Sequence, residues 1–232
     1  MIEPQLPLDL GHRPALGGAD FLISSCNAEA AAWLDRWPHW PGPALVLHGP
    51  DGCGKTHLAS IFAQRSGARM LDPAQLGAVD PFRLFETAAA AVVEDADLGV
   101  DEVGLFHLYN AAKECGAHLL LTGRLAPGLW QIALPDLRSR LLAAHSVRIR
   151  PPDDRMMEAL LVKLFADRQL KVGQDVVAYL ATRMERSFAA ARALVAHVDS
   201  AALAAHRAVT VPFLRELLDR EEDERQARLP WC

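Results

Sequence analysis

Gly49-Pro50-Asp51-Gly52-Cys53-Gly54-Lys55-Thr56 matches the pattern Gly-x-x-x-x-Gly-Lys-Ser/Thr without a gap. An apolar run, Ala44–His48, stands before it, and Thr56–Arg65 after it reads as a helix stopped near Gly67. Each residue type in the loop has a physical task. The glycines permit unusual backbone angles and close approach to an anion. Successive backbone N–H groups then form a concave nest at the positive end of a helix. Lys55 can reach β- and γ-phosphates, and the Thr56 hydroxyl can ligate Mg²⁺. With glycine at about 7% of residues, chance would produce this pattern in roughly one chain of this length in a hundred. The strand-before, helix-after context lowers that further. Cys53 reads as inert filler inside the loop.

Outward from the loop the chain alternates. Ala68–Leu71, Ala90–Val93, His118–Leu121 and Ser146–Ile149 read as further strands. Pro81–Thr87, Asp101–Glu114 (with a Gly116 stop) and Pro135–Ala144 read as helices. Strands separated by helices predict an α/β fold, a parallel five-stranded sheet with helices on both faces. Upstream, Asn27 can cap a helix over Ala28–Trp37, with Glu29 favourable in its first turn and Pro38, Pro41 and Pro43 ending it. Trp33, Trp37 and Trp40, three or four residues apart, are expected in the core. After Pro151-Pro152 the strand signals stop. Asp153–Ala166, Gln174–Met184, Ser187–His206 and Val211–Ala227 all read as helices. The expected organisation is a tail over 1–18, an α/β domain over 19–150 and a small all-helical domain over 153–232.

Composition bounds the function. The chain has 232 residues, 51% of them hydrophobic, enough for a real core. Alanine-rich runs favour helix. Twenty-four Lys and Arg against 29 Asp and Glu give a net charge of −5, which argues against a protein whose main affinity is for a nucleic-acid backbone. No stretch approaches 18 uninterrupted apolar residues, so no membrane span is expected. Met1-Ile2-Glu3-Pro4 lacks the basic start and apolar run of a signal peptide. The four cysteines stand alone, without a Cys-x-x-Cys pair, and the nine histidines have no metal-ligand spacing. A disulfide framework or zinc site is not expected, and a reducing cytoplasm fits. The acidic run Glu221–Glu224 reads as a solvated helix end.

A phosphate loop needs an acid at the end of a neighbouring strand to hold Mg²⁺. Val92-Val93-Glu94-Asp95 supplies Glu94 and Asp95 where ligands gather in open α/β sheets. The longer carboxylate comes first, which predicts slow unaided hydrolysis. Thr122 ends the strand Leu119–Leu121 and is a candidate for orienting water or sensing a γ-phosphate. Asp136-Leu137-Arg138-Ser139-Arg140-Leu141 sets two arginines on a helix before the last strand. An arginine at the edge of one such domain can complete a neighbour's site, an effect worth about 10³–10⁵ in rate.

Gly49–Ala59, read as GPDGCGKTHLA, resembles the Walker A segment of the DnaA branch of AAA+ ATPases, where a histidine and a leucine follow Gly-Lys-Thr. The acidic strand, the Thr122 strand end, the Leu-Arg-Ser-Arg helix and the helical C-terminal region follow in that family's order, over roughly 19–219. The resemblance implies an AAA+ P-loop domain followed by a helical lid. It implies that Gly49, Pro50, Asp51, Gly52, Cys53, Gly54, Lys55, Thr56 and His57 hold ADP or ATP, with adenine contacts from backbone near Leu22 and Ile23. Thr56, Glu94 and Asp95 would hold Mg²⁺, Thr122 would be the first sensor and Arg140 the arginine finger acting in trans. Arg186, in Met184-Glu185-Arg186-Ser187-Phe188, is similar to the lid arginine that touches the nucleotide. Glu94 departs from the family's usual Asp, and Asp72–Asp80 diverges.

Two further features are expected to separate this chain from DnaA itself. It reaches Pro230-Trp231-Cys232 without the basic helix-turn-helix by which DnaA reads origin DNA. Gln5-Leu6-Pro7-Leu8-Asp9-Leu10 resembles a sliding-clamp docking peptide, stiffened by Pro7, in which Leu8 and Leu10 fill apolar pockets while Gln5 hydrogen-bonds, with Leu6 also among the partner-binding residues. That combination resembles Hda-type proteins. They hold ADP, sit on the DNA-loaded clamp of DNA polymerase III and stimulate hydrolysis of the ATP bound to DnaA. The implied partners are DnaA, the clamp and a second copy of the chain as a homodimer, with DNA contact indirect or weak. Two other readings stay open. A helicase-loader-type ATPase predicts brisk turnover, and a DNA-binding initiator-like factor predicts salt-sensitive DNA affinity.

Overall fold

The structure, a computed structural model, describes residues 22–228. The docking-like peptide Gln5–Leu10 therefore lies outside the described residues. The chain divides into two compact units, with the boundary between Pro151 and Pro152.

The first unit contains α1 (Ala28–Asp35), β1 (Ala44–His48), α2 (Lys55–Ser66), β2 (Arg69–Leu71), α3 (Pro81–Thr87), β3 (Ala90–Val93), α4 (Glu102–Cys115), β4 (His118–Gly123), α5 (Pro135–Ala143) and β5 (His145–Arg148). The strands form one sheet in the order β2-β3-β4-β1-β5, and every pairing is parallel. Strands buried on both faces read as near-continuous apolar runs, and β1, β3 and β4 do. Period-2 alternation sorts their side chains. Leu45, Leu47, Val92, Leu120 and Val147 pack with α1 and α2 residues such as Leu34, Leu58 and Phe62. Ala44, Val46, Val93, Leu119 and Leu121 pack on the other face with Leu105, Leu108, Leu137 and Leu141 of α4 and α5.

Trp33, Trp37 and Trp40 belong to the first of these cores. Trp40 is buried and stacks on Phe62 with ring centroids 5.4 Å apart, and its indole N–H donates to Trp33 O at 2.8 Å. Trp33 and Trp37 pack against the same cluster.

Two local expectations are corrected. Asn27 does not cap α1 with its side chain. Its Oδ1 accepts from Ser24 N–H and its Nδ2 donates to Leu22 O, both at 2.9 Å, so it ties down the segment before the helix instead. Within the divergent stretch Asp72–Asp80, which carries no expectation of structure, Pro73–Ala78 forms 3-10 turns begun by Asp72, which accepts from Ala74 N–H. The helix expected over Gln174–Met184 ends at Ala181, where the Thr182 hydroxyl bonds back to the Ala178 and Tyr179 carbonyls and competes with further helix.

The second unit holds α6 (Asp154–Asp167), α7 (Gln174–Ala181), α8 (Phe188–Ala205) and α9 (Val211–Arg228). Asp153 and Ser187 cap α6 and α8 by accepting from Met156 and Ala190 N–H. Helix α6 packs on α7 and α8. Among the described residues α8 is the one helix long and apolar enough to cross a membrane by length and composition, with mean hydropathy 1.3. Arg192, His197 and Asp199 interrupt its apolar run. Its buried residues Ala191, Val195, Val198 and Ala202 follow helical spacing, which is the pattern of a bundle helix with one face inward.

Candidate nucleotide site

The Gly49–Thr56 loop joins β1 to α2 at the carboxyl ends of the strands. Gly52 and Gly54 have φ of 72° and 99°, left-handed values that favour glycine. Gly49 is wedged, since its N–H donates to Gly123 O at 3.2 Å and an added Cβ would lie 2.3 Å from Ile149 O. Lys55 opens α2 and is only 7% exposed. Its ammonium donates to Gly49 O at 2.8 Å and Pro50 O at 3.1 Å, so the loop curls around it. Cys53 is buried beneath the loop, and burial pushes its thiol up from the ordinary value. Pro50, Asp51 and Thr56 are exposed, and His57 is half-buried. His48, just before the loop, is pushed down by burial and by the Arg148 charge, so it adds no positive charge there at neutral pH.

Strand β4 lies between β1 and β3, so Thr122 on β4 and the acids after β3 come to the same sheet end as the loop. Thr122 is buried, and its hydroxyl accepts from Asp95 N–H at 3.0 Å. That bond holds Asp95 at φ 48°, a left-handed value uncommon outside glycine. Asp95 is exposed, whereas Glu94 has a buried Oε1 with no hydrogen-bond partner. A carboxylate oxygen shielded from water without a partner suits a cation, and the exposed Thr56 and Asp95 add oxygen donors. Among the described residues no group of three or more His, Cys, Asp or Glu forms a protein-only cage. The donor set fits Mg²⁺, which keeps waters and phosphate oxygens among its ligands.

Two charged residues escaped the sequence reading. Asp97 accepts from Arg124 N–H at 2.7 Å and Leu125 N–H at 3.0 Å, knitting the β3 and β4 ends together. Arg124 reaches back to the loop, where its Nη1 is 2.9 Å from Asp51 Oδ2. No local pattern announces either contact.

The other predicted residues are each held by contacts of their own. Leu22 and Ile23 are half-buried, with Leu22 O held by Asn27 and Ile23 packed on the α1–α2 core. Arg140 is half-buried against α4. It donates to Asn110 Oδ1, and its guanidinium lies 4.7 Å from the Phe106 ring centroid and 5.6 Å from that of Tyr109. Arg138 on the same helix is exposed. Arg186 belongs to the second unit, where it pairs with Asp154 at 2.8 Å, both largely exposed. A cleft of about 360 Å³ lined by Pro41, Gly42, Tyr109 and His145 opens at the amino ends of β1 and β5. Ligands of open α/β sheets gather at the carboxyl ends, so this cleft is not the nucleotide site.

Residues 153–218 match the family model of the Hda lid domain. Domain III of the Thermotoga maritima replication initiation protein DnaA superposes with a TM-score of 0.71 at 17% identity, covering 87% of this chain and 94% of that one. A replication initiator DnaA bound to AMPPCP and single-stranded DNA gives 0.70 at 16% identity, covering 94% and 71%. A DNA replication initiation factor gives 0.67 at 15% identity over 80% of this chain, which spans 64% of that protein's length. At such identities the likeness establishes the fold.

Proposed function

We propose that this chain, which has the fold of the DnaA structures and whose residues 153–218 match the Hda lid domain model, is a negative regulator of replication initiation. In this reading it holds an adenine nucleotide, docks on the sliding clamp and stimulates hydrolysis of DnaA-bound ATP in trans. The observation that carries the nucleotide part is the loop itself, with left-handed glycines in place and Lys55 buried within its curl. Loop amides hold the phosphates while the Lys55 ammonium exchanges the Gly49 and Pro50 carbonyls for phosphate oxygens. Adenine contacts are assigned to the Leu22 and Ile23 backbone and a phosphate contact to Arg186. Thr56, Glu94 and Asp95 hold Mg²⁺, which neutralises phosphate charge when bound. Thr122 keeps the acids in position through Asp95 N–H.

Arg140 acts outside its own site. Released from Asn110, its planar guanidinium enters the ATP site of DnaA and neutralises charge that develops during phosphoryl transfer. Gln5, Leu6, Leu8 and Leu10 bind the clamp and concentrate the chain where DnaA meets it. ADP is the nucleotide this role favours, because a finger donor needs a stable platform rather than turnover. The cytoplasm is the expected compartment. The test is a reconstituted mixture of DnaA-ATP and clamp loaded on DNA. Adding the chain should raise ATP hydrolysis, and removing Gln5–Leu10 should abolish that rise. No stimulation by the full chain would overturn the proposal.

One observation favours a second reading. The unpartnered, buried Glu94 Oε1 beside Asp95 is an acid pair able to serve the chain's own hydrolysis. An autonomous ATPase of the helicase-loader type would then turn over ATP without DnaA, which steady-state kinetics of the purified chain distinguishes.

A further inference from the structure

The Asp51–Arg124 pair ties the loop to the end of β4. One end is the third residue of Gly49–Thr56, and the other follows the β4 strand end that carries Thr122. Asp51 is unusual company for phosphate, since an exposed carboxylate in an anion cradle repels what the cradle holds. Arg124 offsets that charge. Its position is set from the opposite side, because Asp97 fixes the Arg124 amide at 2.7 Å and thereby the base of the side chain. Strand β4 stands between the loop strand β1 and the acid strand β3. Arg124 follows the strand that separates the loop from Glu94 and Asp95, so it lies on the side of the cradle where Mg²⁺ and a terminal phosphate belong. Both partners are about half exposed or more, with side-chain values of 48% for Arg124 and 66% for Asp51, so the pair is easily exchanged.

We propose that Arg124 is a phosphate-contacting residue of the nucleotide site, directed at the terminal phosphate of a triphosphate, and that Asp51 competes with that phosphate for the same guanidinium. This rests on the loop being a nucleotide site. It assigns the chain a device for telling triphosphate from diphosphate: a triphosphate displaces Asp51 from Arg124, and a diphosphate leaves the pair closed.

Calorimetric titration of the full chain with ADP and with AMPPCP, both with Mg²⁺, tests this. Arg124→Gln should weaken AMPPCP about tenfold or more and ADP less than threefold, because a forked guanidinium–phosphate contact is lost. Asp51→Asn should strengthen AMPPCP a few-fold. The double variant separates contact from mere charge balance. It stays weak for AMPPCP if Arg124 touches the phosphate, and regains the affinity of the unaltered chain if Arg124 only neutralises Asp51, which would overturn the proposal. Equal losses for both nucleotides in Arg124→Gln, or weaker AMPPCP binding in Asp51→Asn, would also overturn it. Lys55→Ala serves as the reference. If it binds both nucleotides undiminished, the site reading itself fails, whereas loss in Lys55→Ala with no change in Arg124→Gln defeats the Arg124 assignment alone.

Discussion

The phosphate loop and the arginine helix α5 belong to the same unit and are held by opposite means. Backbone geometry holds the loop: two left-handed glycines, the wedged Gly49 between Gly123 O and Ile149 O, and carbonyls folded around Lys55. Side chains hold Arg140 through one hydrogen bond to Asn110 and two aromatic faces on α4. Backbone restraints persist until the unit unfolds. A cation–π contact and one hydrogen bond are together worth about 1–2 kcal/mol, roughly a tenfold population shift, and a better acceptor can replace them. The contrast teaches that the cradle is preformed while the guanidinium is releasable. That is the division of labour expected if one anion is retained and another is visited.

The largest effect should come from the loop. Lys55→Ala removes the buried cation and should weaken ADP about a hundredfold or more in calorimetry. A loss under threefold would mean that the preformed cradle does not rely on its lysine. A smaller effect should come from the docked arginine. Asn110→Ala frees one restraint on Arg140 and should raise stimulation of DnaA-bound ATP hydrolysis, up to about tenfold. Unchanged or reduced stimulation would show that the contact positions Arg140 rather than restrains it. The smallest effect is chemical. With its pKa raised by burial, Cys53 carries less thiolate at pH 8 than an ordinary cysteine, so alkylation should be several-fold slower than at exposed Cys115, with or without ADP. Its rate should keep rising at pH values where an unperturbed thiol has levelled off. Rapid Cys53 alkylation suppressed by ADP would show that the loop opens between ligands.

The same contrast explains what could be read from the sequence. The strands Ala44–His48 and Ala90–Val93 and the helix Pro81–Thr87 match the residues expected, and the five-stranded parallel sheet follows from their alternation. These elements are set by local periodicity, proline and glycine. Boundaries set by tertiary contact moved by a residue or more. Strand β4 runs on to Gly123, where an added Cβ would sit 2.9 Å from Trp130. Asn27 chose the preceding turn over its helix because Leu22 O and Ser24 N–H were both in reach. The bonds from Thr122 to Asp95, from Asp97 to Arg124 and from Arg124 to Asp51 join residues far apart in the chain. No spacing rule encodes them. The docking of Arg140 on Asn110, thirty residues away, was illegible for the same reason.

The proposed loan of the Arg140 guanidinium to another protein's ATP is tested most directly by comparing Arg140→Ala with Arg138→Ala in single-turnover hydrolysis of DnaA-bound ATP on clamp-loaded DNA. Arg140→Ala should lower the stimulated rate about a thousandfold or to the unstimulated level, with ADP affinity of the variant chain unchanged, while Arg138→Ala retains most of the stimulation. Full stimulation by Arg140→Ala, or equal losses in the two variants, would contradict an arginine finger at Arg140.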